Sequence, residues 1–293
     1  MDTGAGSSTI PNFDSTFPVD FSFFRQVNDT SSFMTSARLI AKKKLITNGT
    51  DAEVTDNNNT FDSNVGWNKN NGADSNFQSW MWKRHAGFDV VAYTGNGVTG
   101  NQIPHSMNKT PEMIWIKARG QTFTTYVYHK DFNGGTNPEQ YVAYLSMTNA
   151  ETDNAGMLND TAPTSTHFTL GNFTGVNADN NTFIAMLFAS VDGISKVGSY
   201  DGNDSGVTLD LGFQPRFIMI KCRTSSGAYR SWFVLDTIRG WGSGNDKWLR
   251  LDGNDDQNDG TDWGAPTSTG CTITGGDDNF NSTGESYIYY AHA

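Results

Sequence analysis

Cysteine is nearly absent: the 293 residues hold only Cys222 and Cys271. Two thiols in otherwise apolar runs build neither a disulfide framework nor a Cys-x-x-Cys metal knuckle, and they read as buried side chains. No run of 18 apolar residues occurs, so the sequence offers no membrane-spanning helix and predicts no membrane insertion. The first residues are polar and rich in Gly, Ser and Thr where a signal peptide would be apolar, and the expectation is a soluble product without a signal sequence. Positive charge is also short, with 20 Lys and Arg against 31 Asp and Glu. The net charge of -11 repels a phosphate backbone and argues against nucleic acid as a partner.

Helical periodicity is missing too, with no convincing amphipathic stretch of ten or more residues. The five histidines, His85, His105, His129, His167 and His292, include no His-x-His or His-x-x-x-His pair for zinc; His105 and His129 lie in one unit and could approach each other across strands, but hydrogen-bonded structural histidines are the simpler reading. No Gly-x-Ser-x-Gly elbow marks a serine nucleophile, and no pair of carboxylates is singled out for glycoside cleavage. The reading is non-enzymatic, with no catalytic residue, no cofactor and no metal. One acidic loop, Asp252, Asp255, Asp256, Asp259 and Asp262, approaches calcium-loop spacing at Asp255-x-Gln257-x-Asp259-Gly260. Its twelfth position is Pro266, where a Glu is needed, and a solvated loop is the simpler reading.

What the chain does contain is repetition. Ala162-Pro163-Thr164-Ser165-Thr166 followed by Phe183 to Ala189 is answered by Ala265-Pro266-Thr267-Ser268-Thr269 followed by Tyr287 to Ala293. Tyr93-Thr94-Gly95-Asn96 is answered by Tyr200-Asp201-Gly202-Asn203, and Pro111 to Lys117 by Pro215 to Lys221. The period is about 104 residues, with length changes confined to loops. Each copy is a series of short runs rich in β-formers, bounded by turn residues. Residues 17 to 86 fit the same template: Phe17 to Phe21 matches Phe213 to Phe217, Leu45 to Glu53 matches Leu249 to Gln257, and Phe77 to Trp82 matches Phe183 to Phe188. No Tyr-x-Gly-Asn strand precedes this copy. Its place has to be filled by residues 1 to 16, by the second unit or by another chain.

The expected fold is therefore all-β: tandem antiparallel β-sandwich units of a jelly-roll-like kind, three repeats with the first incomplete. The units read as an N-terminal arm (1–16), an incomplete sandwich (17–86) and two full ones (87–191 and 192–293). Thr47-Asn48-Gly49-Thr50 reads as a type I' turn.

Phe88 to Gly97, Pro104-His105-Ser106, Pro111 to Ile114 and Asn159 to Gly171, taken together and in order, resemble a repeated domain of tailed-bacteriophage virion proteins of the marine and cyanophage type. The closing Val176-Asn177-Ala178 to Thr182-Phe183 segment follows the same pattern, and Thr47 to Glu53 with Trp80 to Lys83 resembles the family's upstream half. The resemblance covers about residues 17 to 293 and rests on turns and core strands. It implies a virion component, tail or fibre, that works with other virion proteins, and it carries no catalytic residues. The third unit departs from it, with Gly276 to Asn279 in place of the Val-Asn-Ala segment, a loop expected to vary.

On that resemblance the expected function is non-covalent attachment to a host-surface glycan or protein, with a purely architectural subunit, a head decoration or tail connector, as the alternative. A homo-oligomer is expected, a trimer by analogy with fibres. Two sets of residues are candidates for contact. Trp241, inside Gly240 to Gly244, and Trp263 lie in loops, where a flat ring can anchor a sugar or a partner; packing into a core is the competing reading. Arg38, Lys42, Lys43 and Lys44 form the one basic run, suited to an acidic face of a neighbouring subunit or, more simply, to a solvated strand edge.

Overall fold

In the computed structural model, which describes residues 1–6, 11–69, 73–276 and 279–293, the chain folds as an all-β protein of the sandwich type. Three six-stranded antiparallel sheets share one strand order. In the second sheet it runs Phe88–Thr94, Thr182–Phe188, Met113–Ala118, Thr125–His129, Tyr141–Tyr144, Thr152–Asp153; in the third it runs Ser195–Asp201, Ser286–His292, Phe217–Cys222, Trp232–Asp236, Asp246–Arg250, Asn258–Thr261. The first sheet places Asp2–Thr3, Phe77–Trp82, Phe21–Gln26, Met34–Ala37, Lys43–Ile46 and Val54–Thr55 in the same sequence. Register follows suit, with Phe21 opposite Trp82, Met113 opposite Phe188 and Phe217 opposite His292.

The position that the first copy's pattern leaves open is taken by the chain's own first residues. Asp2 and Thr3 pair with Ser79 and Gln78, and Phe13–Asp14 pairs with Gly66–Lys69. The latter ribbon corresponds to Asn101–Pro104 with His167–Leu170 and to Val207–Asp210 with Gly270–Ile273. Part of the 1–16 arm, residues 7–10, lies outside the described residues. The expected turn at Asn48-Gly49 is not of type I', because neither residue has the positive φ which that turn requires. The segment after Ile46 instead runs to the second sheet, where Glu53 N donates to Arg119 O at 2.7 Å.

The central strands Met113–Ala118 and Phe217–Cys222 are buried along their whole length, and Phe21–Gln26 up to its last residue, because both faces are covered. One face meets an outer ribbon. Ile114, Ile116 and Leu187 pack with Phe168 and Leu170 over the second sheet, and Ile218, Ile220 and Tyr289 pack with Leu209 and Ile273 over the third. The opposite faces converge. Phe21, Phe23, Trp80 and Trp82 of the first sheet form one cluster with Met113, Trp115 and Phe188 of the second and with Phe217, Met219 and Tyr290 of the third. Phe23 lies 6.4 Å from Trp115 and 6.0 Å from Phe217, ring to ring, and Phe188 lies 4.9 Å from Tyr290. Two of the buried indoles of this cluster also find acceptors across sheets, Trp82 Nε1 donating to the Tyr290 hydroxyl at 3.1 Å and Trp80 Nε1 to Asp236 Oδ2 at 3.1 Å, whereas Trp115 Nε1 is buried without a hydrogen-bond partner. The three six-stranded sheets thus stand back to back on a shared aromatic core.

Replacing Phe23 by Ala removes a ring that touches all three sheets. We expect a loss of about 3–5 kcal/mol, as for other large-to-small aromatic changes in a core. Native-state hydrogen exchange should rise in Met113–Ala118 and Phe217–Cys222 as well as in Phe21–Gln26; a rise confined to the first sheet would contradict the shared core.

Candidate functional site

The two loop tryptophans do not reach the surface. Trp241 is 3% exposed and Trp263 is 2% exposed, and both belong to the outer core of the third sheet. Gly240 and Gly264, at φ 115° and 104°, turn the chain in a way that a side chain disfavours, and the indoles point inward. Trp241 Nε1 donates to Gly264 O at 3.0 Å, and Trp263 packs on Phe280 with ring centroids 3.7 Å apart. The buried Asp246 carboxylate accepts Gly242 N and Trp263 N, tying both loops together. A role for these rings in holding a sugar or a partner is therefore corrected to a role in packing.

The basic run is largely spent within the chain. Arg38 pairs with Asp20 at 3.2 Å and also donates to Val19 O and Phe61 O. Lys44 pairs with Asp56 at 3.3 Å, and Lys43 Nζ donates to Thr55 Oγ1 at 2.9 Å. Lys43–Ile46 is paired on both sides, so it is not a sheet edge. Lys42, exposed and at φ 62°, accepts Asp56 N at 2.7 Å through its carbonyl, and among the described residues its side chain is the one in the run without an intrachain partner. The array is thus a set of local ties, and it does not form a continuous basic face for a neighbouring subunit.

The acidic loop also disperses. Asp252 accepts Trp232 N, Asp255 pairs with Arg250, and Asp262 accepts Gly264 N. Among the described residues no three His, Cys, Asp or Glu side chains are grouped to hold a metal ion. His105 and His129 lie apart in function. His105 and His167 both engage Thr164, whereas buried His129 accepts Asp131 N through Nδ1 and meets Tyr289 O through Nε2 at 3.4 Å. Burial pushes the His129 imidazole down to about 3. Ser106 Oγ donates to Asp89 at 2.9 Å and receives Arg84 Nη2 at 2.9 Å, so its hydroxyl serves an ion-pair network and not a histidine base. Cys222 and Cys271 are buried free thiols, as their contexts suggest. Asp277 and Asp278, in the loop where the third unit departs from the pattern, lie outside the described residues.

Three buried cations went unnoticed in the sequence. Arg25, Lys117 and Lys221 occupy the same register position of the three central strands and are at most 1% exposed. Each reaches a backbone carbonyl of a neighbouring sheet's loop: Lys117 Nζ donates to Thr50 O at 3.0 Å, Lys221 Nζ to Thr148 O at 3.4 Å, and Arg25 Nη2 to Asn254 O at 3.4 Å. Beside each latch a main-chain bond crosses the same boundary, from Glu53 to Arg119, Glu151 to Arg223 and Gln257 to Val27. Two of these carry ion pairs, Arg119 with Glu53 at 2.7 Å and Arg223 with Glu151 at 2.8 Å. Burial pushes both lysines down to about 8, against the pull of Asp51 on Lys117 and of the Cys222 thiol and Asp252 on Lys221.

The exposed aromatic of this end is Tyr229, 62% accessible. It stands on the connection between Phe217–Cys222 and Trp232–Asp236, nine residues (223–231) where the equivalent connections have seven (27–33) and six (119–124). Gly227 at φ 142° lets this longer loop turn, and Ser226 Oγ anchors it by accepting Ala150 N at 2.7 Å. The loop borders an open depression of about 330 Å³ lined by Ser225, Ser226, Tyr229, Arg230 and Glu285. On its floor Arg230 Nε donates to Ser225 Oγ at 2.7 Å, Lys221 Nζ supports Arg230 O at 2.6 Å, and Arg230 Nη2 lies 3.6 Å from Glu285 Oε1. Partial burial works to raise the Glu285 carboxyl, but the hydroxyls of Thr224 and Ser225, with Arg230, outweigh it and hold the group below its usual range. The depression presents an ionised carboxylate, a guanidinium and a flat ring. These groups suit it to hold a ligand non-covalently. The sequence signal for it is the insertion of Gly227-Ala228-Tyr229 in the third copy; for the latches it is the lysine that ends the same apolar run twice.

Substituting Lys117 by Met should reveal the buried charge through pH. A folded-state value of about 8, below that of the unfolded chain, means the unfolded chain binds more protons between pH 8 and about 10.4. The contribution is fully present above the unfolded value and is lost as pH falls through about 8. Wild-type stability minus variant stability, measured by urea unfolding, should climb by about 3 kcal/mol over that window. Parallel curves would mean that Lys117 is not held as described.

Compared with known proteins, residues 2–293 match the family described as Domain of unknown function (DUF7483). No curated protein matches the chain. No solved structure matches it either.

Proposed function

The chain belongs to the DUF7483 family, and we propose that it is a structural protein of a tailed-phage virion, a tail or fibre component that contributes to host-surface attachment by non-covalent binding. The connection to virions comes from the resemblance carried by Phe88 to Gly97, Pro111 to Ile114 and Asn159 to Gly171. The observation that carries the attachment reading is the Tyr229 loop. A ring is held in solvent on an extended, anchored connection, above an ion pair, on a body whose three sheets are fused through one core. Binding groups are best mounted on rigid elements, because less freedom is lost when the ligand arrives.

A second reading, an architectural virion subunit, is favoured by a different surface. At the other end of the strand Trp232–Asp236, Ile238 is 40% exposed, and Leu39, at the equivalent position after Met34–Ala37, is 45% exposed. Paired exposed aliphatics of this kind suit packing against other virion proteins or further copies of the chain.

Gold labelling of purified virions with an antibody to this chain separates the readings. Label at the tail or fibre tips is expected for attachment. Label over the head or collar would shift the assignment to the architectural role, and bare particles would overturn the virion reading itself.

A further inference from the structure

We infer that the depression beside Tyr229 is a carbohydrate site that takes one uncharged hexopyranose ring. The apolar C–H face of a pyranose needs a flat partner, and Tyr229 supplies one that is 62% exposed on a loop lengthened only in the third sheet. The sugar's hydroxyls need both donors and acceptors. Arg230 and Glu285 offer both on one floor, and they are 3.6 Å apart, longer than a direct hydrogen bond. Glu285 Oε2 accepts Thr224 Oγ1 at 2.6 Å and Ser225 also holds the carboxylate, yet two oxygens with about four lone-pair sites keep acceptor capacity for a sugar hydroxyl, with Oε1 facing Arg230 only at the longer distance. The ionised state of Glu285 keeps it an acceptor.

The charge selects the class of sugar. The groups lining the depression, one guanidinium and one carboxylate, carry no net charge; the Lys221 ammonium beneath them is buried on the carbonyls of Arg230, Cys222 and Thr148 with Asp252 as counter-charge, and the chain as a whole carries -11. An acidic sugar gains no unpaired cation there and meets a repulsive background. A single ring held by one aromatic face and one ion pair binds weakly, with a dissociation constant on the order of 1 mM. Useful strength in attachment then comes from many copies acting together.

The inference rests on the attachment reading for the origin of the sugar. It is tested on the isolated chain, so the virion assignment and the sugar site fail separately. Saturation-transfer NMR of the full chain is recorded with the methyl glycosides of glucose, galactose and mannose, and with N-acetylneuraminic acid. Transfer to at least one neutral glycoside is expected. Tyr229→Phe should retain it, Tyr229→Ala should weaken it about tenfold, and Glu285→Gln should weaken it several-fold. Circular dichroism of each variant checks that it is folded. The site is overturned if no neutral glycoside shows transfer, if Tyr229→Ala binds as well as wild type, or if only the acidic sugar binds.

Discussion

Everything in this molecule depends on the convergence of three sheets on one aromatic interior. A six-stranded sheet with two apolar faces is unstable until both are covered. The outer face is covered locally, by a ribbon from the same stretch of chain. The inner face has no such local cover. Phe23, Trp115 and Met219 are buried only because the other two sheets are present, and the tryptophans of Phe77–Trp82 satisfy their indole N–H groups on Asp236 and Tyr290 of a distant sheet. Leaving such donors buried without acceptors would cost about 1–3 kcal/mol each, so the aromatic packing and the cross-sheet hydrogen bonds favour the same arrangement.

The buried cations fit the same logic. Placing Lys117 and Lys221 out of water is costly, and the depression of both to about 8 reflects it. Their value is directional. A hydrophobic interface tolerates sliding, whereas an ammonium seated on the carbonyls of Thr50 or Thr148 fixes one register between neighbouring sheets. With register fixed at three boundaries, variation is confined to the loops, and the Tyr229 connection is one that has grown.

Much of the strand pattern was legible in the sequence, because the repeat reports register directly. The matches Phe21 with Phe217, Leu45 with Leu249 and Tyr93 with Tyr200 coincide with residues at equivalent positions in the pairing. The shared core was not legible, since Met113–Ala118, apolar on both faces but for Lys117, would look the same in a lone sandwich. Trp241 and Trp263 misled for a related reason. Their loop setting was right, but loop position does not say which way a side chain points, and the glycines beside them turned both rings inward. The basic run looked unpaired because its partners, Asp20 and Asp56, lie outside the cluster in sequence. Tyr229 drew no notice because one exposed tyrosine has no pattern of its own until its loop is set against the shorter equivalents.

The central claim is that the three sheets are stable only together. Its most direct test is to express residues 87–191, the segment that the repeat alone would call a complete sandwich, and to follow its urea unfolding by tryptophan fluorescence and circular dichroism. With Met113, Trp115 and Phe188 stripped of their neighbours, the segment should show no cooperative transition and should bind a hydrophobic dye. A sharp transition coincident in both probes would show a self-sufficient unit and contradict the account.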